Sequence, residues 1–188
     1  EYTAYAANHG GKLVPVKAKD DLDIDVDAVE KAIDRHTAAM IINSPNNPSG
    51  RIYPASTIRK LADMLRKKSC EIGHAIYLIS DEPYKKIVFD GIKVPSIMTE
   101  YENSLICTSF SKDLSLPGMR IGYTVVSPKA EDVKLLIDGI VMCTRVLGYV
   151  NAPAVMQKVV AQMLGKSVDI GFYLKKRDRL CEILGGIG

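Results

Sequence analysis

Four short apolar runs constrain this chain more than any other feature: residues 38–42, 75–79, 104–108 and 121–126. Each is too short for a helix of ordinary length and too continuously apolar for a strand with one wet face, which fits strands buried on both sides. Helical spacing fills the gaps between them. Val26, Val29, Ala32 and Ile33 recur at that spacing before the first run, and Ile58, Leu61, Ala62 and Leu65 do so before the second, in a helix whose first position Pro54 suits. Strands alternating with helices or long connections predict a three-layer α/β/α arrangement around a mostly parallel sheet. Residues 12–16 alternate after Gly10-Gly11 and read as one more strand. Ser127 before Pro128 reads as a helix N-cap, and from there the sequence is helical almost to its end, with Leu135, Ile140, Val155, Val159, Met163 and Leu174 on apolar faces.

Composition excludes several classes. The formal net charge is only +3 and the basic residues are interspersed with acidic ones, so the chain lacks the basic stripe that nucleic acid requires. No apolar stretch approaches the roughly 20 residues needed to cross a bilayer. Cys70, Cys107, Cys143 and Cys181 form no CxxC pair, and no metal is expected; reduced, buried thiols in a cytoplasmic protein are the expected state. The sequence starts at Glu1 rather than Met and runs out in Gly185-Gly186-Ile187-Gly188, which reads as a piece of a longer protein.

Ligands of open α/β sheets sit beyond the carboxyl ends of the strands, so the residues after each run are the candidates for chemistry. Asn43-Ser44-Pro45-Asn46-Asn47-Pro48-Ser49-Gly50 is a rigid multiple turn by composition, and it could hold the Asn47 amide as a donor to a ligand oxygen. In Ser80-Asp81-Glu82-Pro83-Tyr84, Asp81 is either a turn former or a carboxylate that holds a proton on a heterocyclic nitrogen, with Tyr84 as a second donor. In Thr108-Ser109-Phe110-Ser111-Lys112, Lys112 is either an ordinarily solvated side chain or, if partly desolvated between sheet and helices, an amine that loses its proton readily and serves as a nucleophile toward aldehydes and a general base. Ser109 and Ser111 add hydroxyls suited to phosphate. Arg120 precedes the last apolar run, where its planar fork wants a phosphate or a carboxylate.

The series NNPSG, SDEPY and SFSKDLSLPGMRIGY, in this order, resembles the class I and II aminotransferases of fold type I. That resemblance implies the large-domain fold of the pyridoxal-phosphate transferases and pyridoxal 5′-phosphate as cofactor. Lys112 would form the Schiff base and shuttle the substrate's α-proton, Asp81 would pair with the pyridinium nitrogen, and Asn47 and Tyr84 would bond the phenolic oxygen. Ser109, Ser111 and Arg120 would hold the phosphate. Amino acids and 2-oxo acids would be the substrates, of aspartate-type or broad specificity, and the full-length protein would be a homodimer. Residues 1–145 would belong to the large domain and 146–188 would lead toward a small domain beyond the chain, leaving the isolated polypeptide inactive. A lyase resembling aminocyclopropane-carboxylate synthase or a C–S lyase, and an aminotransferase-like sensor domain of a transcription regulator, are the competing readings.

Overall fold

The computed structural model describes residues 2–186; Glu1, Ile187 and Gly188, from the two ends noted above, lie outside the described residues. In chain order the elements are α1 (Tyr2–Ala7), α2 (Val26–Ala32), β1 (Ala39–Asn43), α3 (Ala55–Ile72), β2 (Tyr77–Asp81), β3 (Ser104–Ser109), α4 (Phe110–Asp113), β4 (Gly122–Val126), α5 (Val133–Val146), α6 (Ala154–Met163) and α7 (Ile170–Gly185). The strands form one sheet in the order β1-β2-β3-β4, parallel except for β4, which runs antiparallel to β3.

Strand alternation decides which side of the sheet is core. Met40 pairs with Leu78 and Leu78 with Ser104, so these side chains, with Ile42, Ser80 and Ile106, share one face. Against it lies α3, whose Ile58, Leu61, Ala62 and Leu65 are all buried. The helix ends where Gly73 adopts φ 83 and donates its N–H to the Ser69 carbonyl at 3.0 Å, a left-handed cap that a residue with a Cβ resists. Asp25 caps α2 by accepting from the Ala28 N–H at 3.0 Å. On the opposite face the cover is thinner, and Ile41 remains 37% exposed. That second face carries Asn43, Asp81, Cys107 and Ser109.

Four details depart from the sequence reading. Residues 12–16 form no strand: Val14 and Val16 are exposed, because an alternating segment becomes a strand only where a ladder partner and an apolar surface await it. Pro54 stands just outside α3 as its N-cap, with ψ 151 holding it extended. Ser127 is buried in a turn, its hydroxyl accepting from the Lys129 N–H at 3.3 Å, and α5 starts only after Asp132. The thiols of Cys70, Cys143 and Cys181 are exposed rather than buried, and all four cysteines are free. Among the described residues no helix is long and apolar enough to cross a membrane.

Candidate active site

Parallel strands point their carboxyl ends the same way, so Asn43, Asp81 and Ser109 finish β1, β2 and β3 at one rim. The reversal of β4 places its beginning there too, with Gly122 opposite Ser109, which brings Arg120 to the same rim. The register requires β4 to press close: a Cβ on Gly122 would stand 2.5 Å from the Thr108 carbonyl oxygen and 3.1 Å from the Ser109 Cα. Backbone, not a flexible side chain, is what it would strike. Gly122→Ala is therefore expected to destabilise the protein by about 1–3 kcal/mol, the usual cost of overpacking. Urea unfolding measures this, and an unchanged midpoint would show that the two strands can part freely.

The turn after β1 is locked onto the end of β2 by Asn43. Its Nδ2 donates to the Asp81 carbonyl at 2.8 Å while its Oδ1 accepts from the Asn47 N–H at 2.7 Å. With the backbone so fixed, the Asn47 Nδ2 reaches the Tyr84 hydroxyl at 3.4 Å. The Lys112 Nζ lies 5.6 Å from the centroid of the Tyr84 ring. Asp81 is partly buried, and its Oδ2 accepts from the Tyr2 phenol at 2.7 Å. The Ser109 hydroxyl accepts from the Ser111 N–H at 3.4 Å, capping α4.

Two cations at this rim have no acidic partner among the described residues. The Arg120 guanidinium donates to the Pro117 carbonyl at 2.8 Å, with the residue held at φ 50, and no carboxylate meets it. Lys112 likewise stands outside every ion pair of the described residues, and it is exposed rather than partly desolvated, because the second sheet face is thinly covered at its rim. Burial pushes the thiol of Cys107, beside Asp81 in the register, up; the contact with Thr124 opposes this, and the charges of Asp81 and Glu82 add smaller pushes in the same direction as burial. A cavity of about 390 Å³ opens beside Asn47 and Tyr84, walled by Ile87, Phe89 and Ile92 and edged by Arg177.

Two participants had no role that the sequence assigned. Tyr2 sits in a helix of ordinary composition and meets Asp81 across 79 positions, a distance that no local motif encodes. Asn43 lay inside the turn motif but its double bond to both sides of the site depends on the pairing of β1 with β2.

A family model described as "Aminotransferase class I and II" matches residues 1–182. The chain belongs to the class I and II aminotransferases. It is 30% identical over 178 residues to a probable aspartate/prephenate aminotransferase of Thermus aquaticus, an alignment covering 93% of this chain and 44% of that protein. An aminotransferase crystal structure from Eubacterium rectale superposes with a TM-score of 0.97 at 48% identity, covering 100% of this chain and 48% of the other. An N-succinyldiaminopimelate aminotransferase from Mycobacterium tuberculosis superposes with a TM-score of 0.82 at 27% identity, covering 100% and 48%. The aminotransferase chain thus spans less than half the length of these relatives. Members of the family use pyridoxal phosphate, which presents a ring nitrogen, a phenolic oxygen, an aldehyde and a phosphate. The donor set at the rim fits that group in kind: a carboxylate, an amide with a phenol, the hydroxyls of Ser109 and Ser111 and, among the described residues, an amine outside every ion pair and a guanidinium without an acidic partner.

Proposed function

We propose that the protein carrying this chain is a pyridoxal-phosphate-dependent aminotransferase that moves an amino group between an amino acid and a 2-oxo acid, with aspartate-type or broad specificity. The observation that carries this reading is the convergence of amide, carboxylate, phenol, amine and guanidinium, from four separate loops, on one rim of the sheet.

Pyridoxal phosphate, when bound, supplies an aldehyde that takes up amino groups and a ring that withdraws electrons from the substrate's α-carbon. Lys112 would hold the aldehyde, and its amine would be the group placed to take up and return the proton of the substrate's α-carbon. Asp81 keeps a proton on the ring nitrogen, since a neighbouring carboxylate favours the cationic form. Asn47 and Tyr84 donate to the phenolic oxygen. Ser109, Ser111 and Arg120 hold the phosphate, the guanidinium through its planar fork.

The name of the Thermus aquaticus relative supports aspartate-type specificity, and that of the Mycobacterium tuberculosis one supports a broader range. A homodimer fits the apolar side chains left open on α5, where Leu135 and Val146 are 69% and 75% exposed. Four free cysteines fit a cytoplasmic protein. The large domain ends near residue 145, at the close of α5, and the isolated 188-residue chain is inactive.

The reaction is tested in a polypeptide of full family length that includes this chain. Given one amino acid and no oxo acid, it is expected to convert bound pyridoxal phosphate to pyridoxamine phosphate, with one equivalent of 2-oxo acid, read by absorbance and chromatography. Release of ammonia with the cofactor unchanged would instead mark a lyase.

A further inference from the structure

The short helix that carries Lys112 cannot hold itself in place. It has four residues, and a helix of that length lacks the run of internal hydrogen bonds that offsets the cost of nucleation. Its orientation must come from outside. Two of its side chains are buried: Phe110, which packs with Ile121 and Val160, and Asp113. Phe110 fixes one side by packing that any similar apolar group could provide. Asp113 is different in kind.

Its Oδ2 lies 2.9 Å from the Lys86 Nζ, with the Asp113 side chain 9% exposed and that of Lys86 44% exposed. Its carbonyl accepts from the Val168 N–H at 2.7 Å, and Lys86 donates in turn to the Lys166 carbonyl at 3.4 Å. Lys86 is two residues beyond Tyr84, and Asp113 is the residue after Lys112. The ion pair therefore ties the loop bearing the phenol to the helix bearing the amine, and ties both to the connection between α6 and α7. The remaining oxygen of Asp113, Oδ1, is buried without a partner among the described residues. A buried carboxylate that leaves one oxygen unmatched is a poor device for stability alone.

We infer that Asp113, gripped by Lys86, is a positioning residue that sets Lys112 against Tyr84, and that it couples this spacing to the α6–α7 connection. The inference rests on the reading of Lys112 as the cofactor lysine. Misplacing a reacting group by about 1 Å costs on the order of 100-fold in rate, so even a partial release of α4 is legible in the reactivity of its lysine.

The test uses the 188-residue chain with excess pyridoxal phosphate, borohydride trapping and peptide mass spectrometry. Exposed Lys17 is the internal reference. Lys86→Met is expected to lower the adduct at Lys112 by about tenfold relative to Lys17. Lys86→Arg, which keeps the charge and reach, is expected to restore it to within about twofold. Should Lys86→Met fail to fold, Asp113→Asn takes its place, since it removes the buried charge and leaves Lys86 free to turn toward water. Wild-type reactivity in Lys86→Met, or a Lys86→Arg protein as impaired as Lys86→Met, overturns the inference. If Lys112 of the unsubstituted chain reacts no better than Lys17, the cofactor-lysine reading fails instead. Positioning is then decided by hydrogen exchange over residues 110–114 and at Val168: acceleration in Lys86→Met upholds it, and unchanged exchange rejects it.

Discussion

Lys112→Ala is expected to abolish the borohydride-stable adduct between this protein and pyridoxal phosphate, leaving only the background given by surface lysines. In the full-length protein it is expected to slow amino-group transfer by about 10²–10⁴-fold, the contribution of a positioned acid–base group. The loss follows from geometry rather than from charge: Lys112 faces Tyr84 across 5.6 Å and is bound to no carboxylate among the described residues, so its amine is available at the place where the donor set converges. Absorbance spectra before and after reduction, with peptide mapping, are the measurement. An adduct of undiminished yield in the alanine variant would remove Lys112 from the site and with it the proposed division of labour among Asp81, Asn47 and Tyr84.

Leu61→Ala is expected to be among the most damaging single truncations in the core, at about 2–5 kcal/mol. Leu61 is 0% exposed and lies on the stripe of α3 that packs against the sheet face formed by Ile42 and Leu78. The cluster around it joins α2, α3, β1, β2 and the segment of Ile97 and Tyr101, so no single element can move in to fill the space it leaves. Equilibrium unfolding in urea, followed by circular dichroism, gives the value; a change below about 1 kcal/mol would mean that α3 is free to settle closer to the sheet. A loss of that size also bears on the site, because β1 and β2 hold Asn43 and Asp81 at their ends.

What could be read from the sequence was whatever depends on neighbours within one element. The stripe of Ile58, Leu61, Ala62 and Leu65 is a property of one helix, and the apolar runs that became β1 to β4 are properties of single strands, so both were legible. The strand-end positions of Asn47, Asp81, Tyr84, Ser109, Ser111 and Lys112 follow from the rule that the ends of parallel strands share a rim, whereas Arg120 reaches that rim only because β4 runs the other way. Residues 12–16 failed because alternation describes a face without supplying a partner. Ser127 failed because its hydroxyl serves a turn that β4 and α5 jointly impose. The Tyr2–Asp81 bond and the Lys86–Asp113 pair span distances in sequence at which side-chain chemistry carries no signal; they exist only once the chain is folded.

The alternation along β2 has one more consequence. Asp81 and Glu82 are adjacent acids with opposite addresses: Asp81 belongs to the thinly covered face, while Glu82 is 2% exposed and bound to Ser80 at 3.0 Å and to Lys85 at 2.6 Å. A slip of β2 by a single position would swap them. The longer side chain would then overhang the rim and the shorter one would strand Lys85 below, so a one-residue insertion in the strand would leave an acid at the right address with the wrong reach.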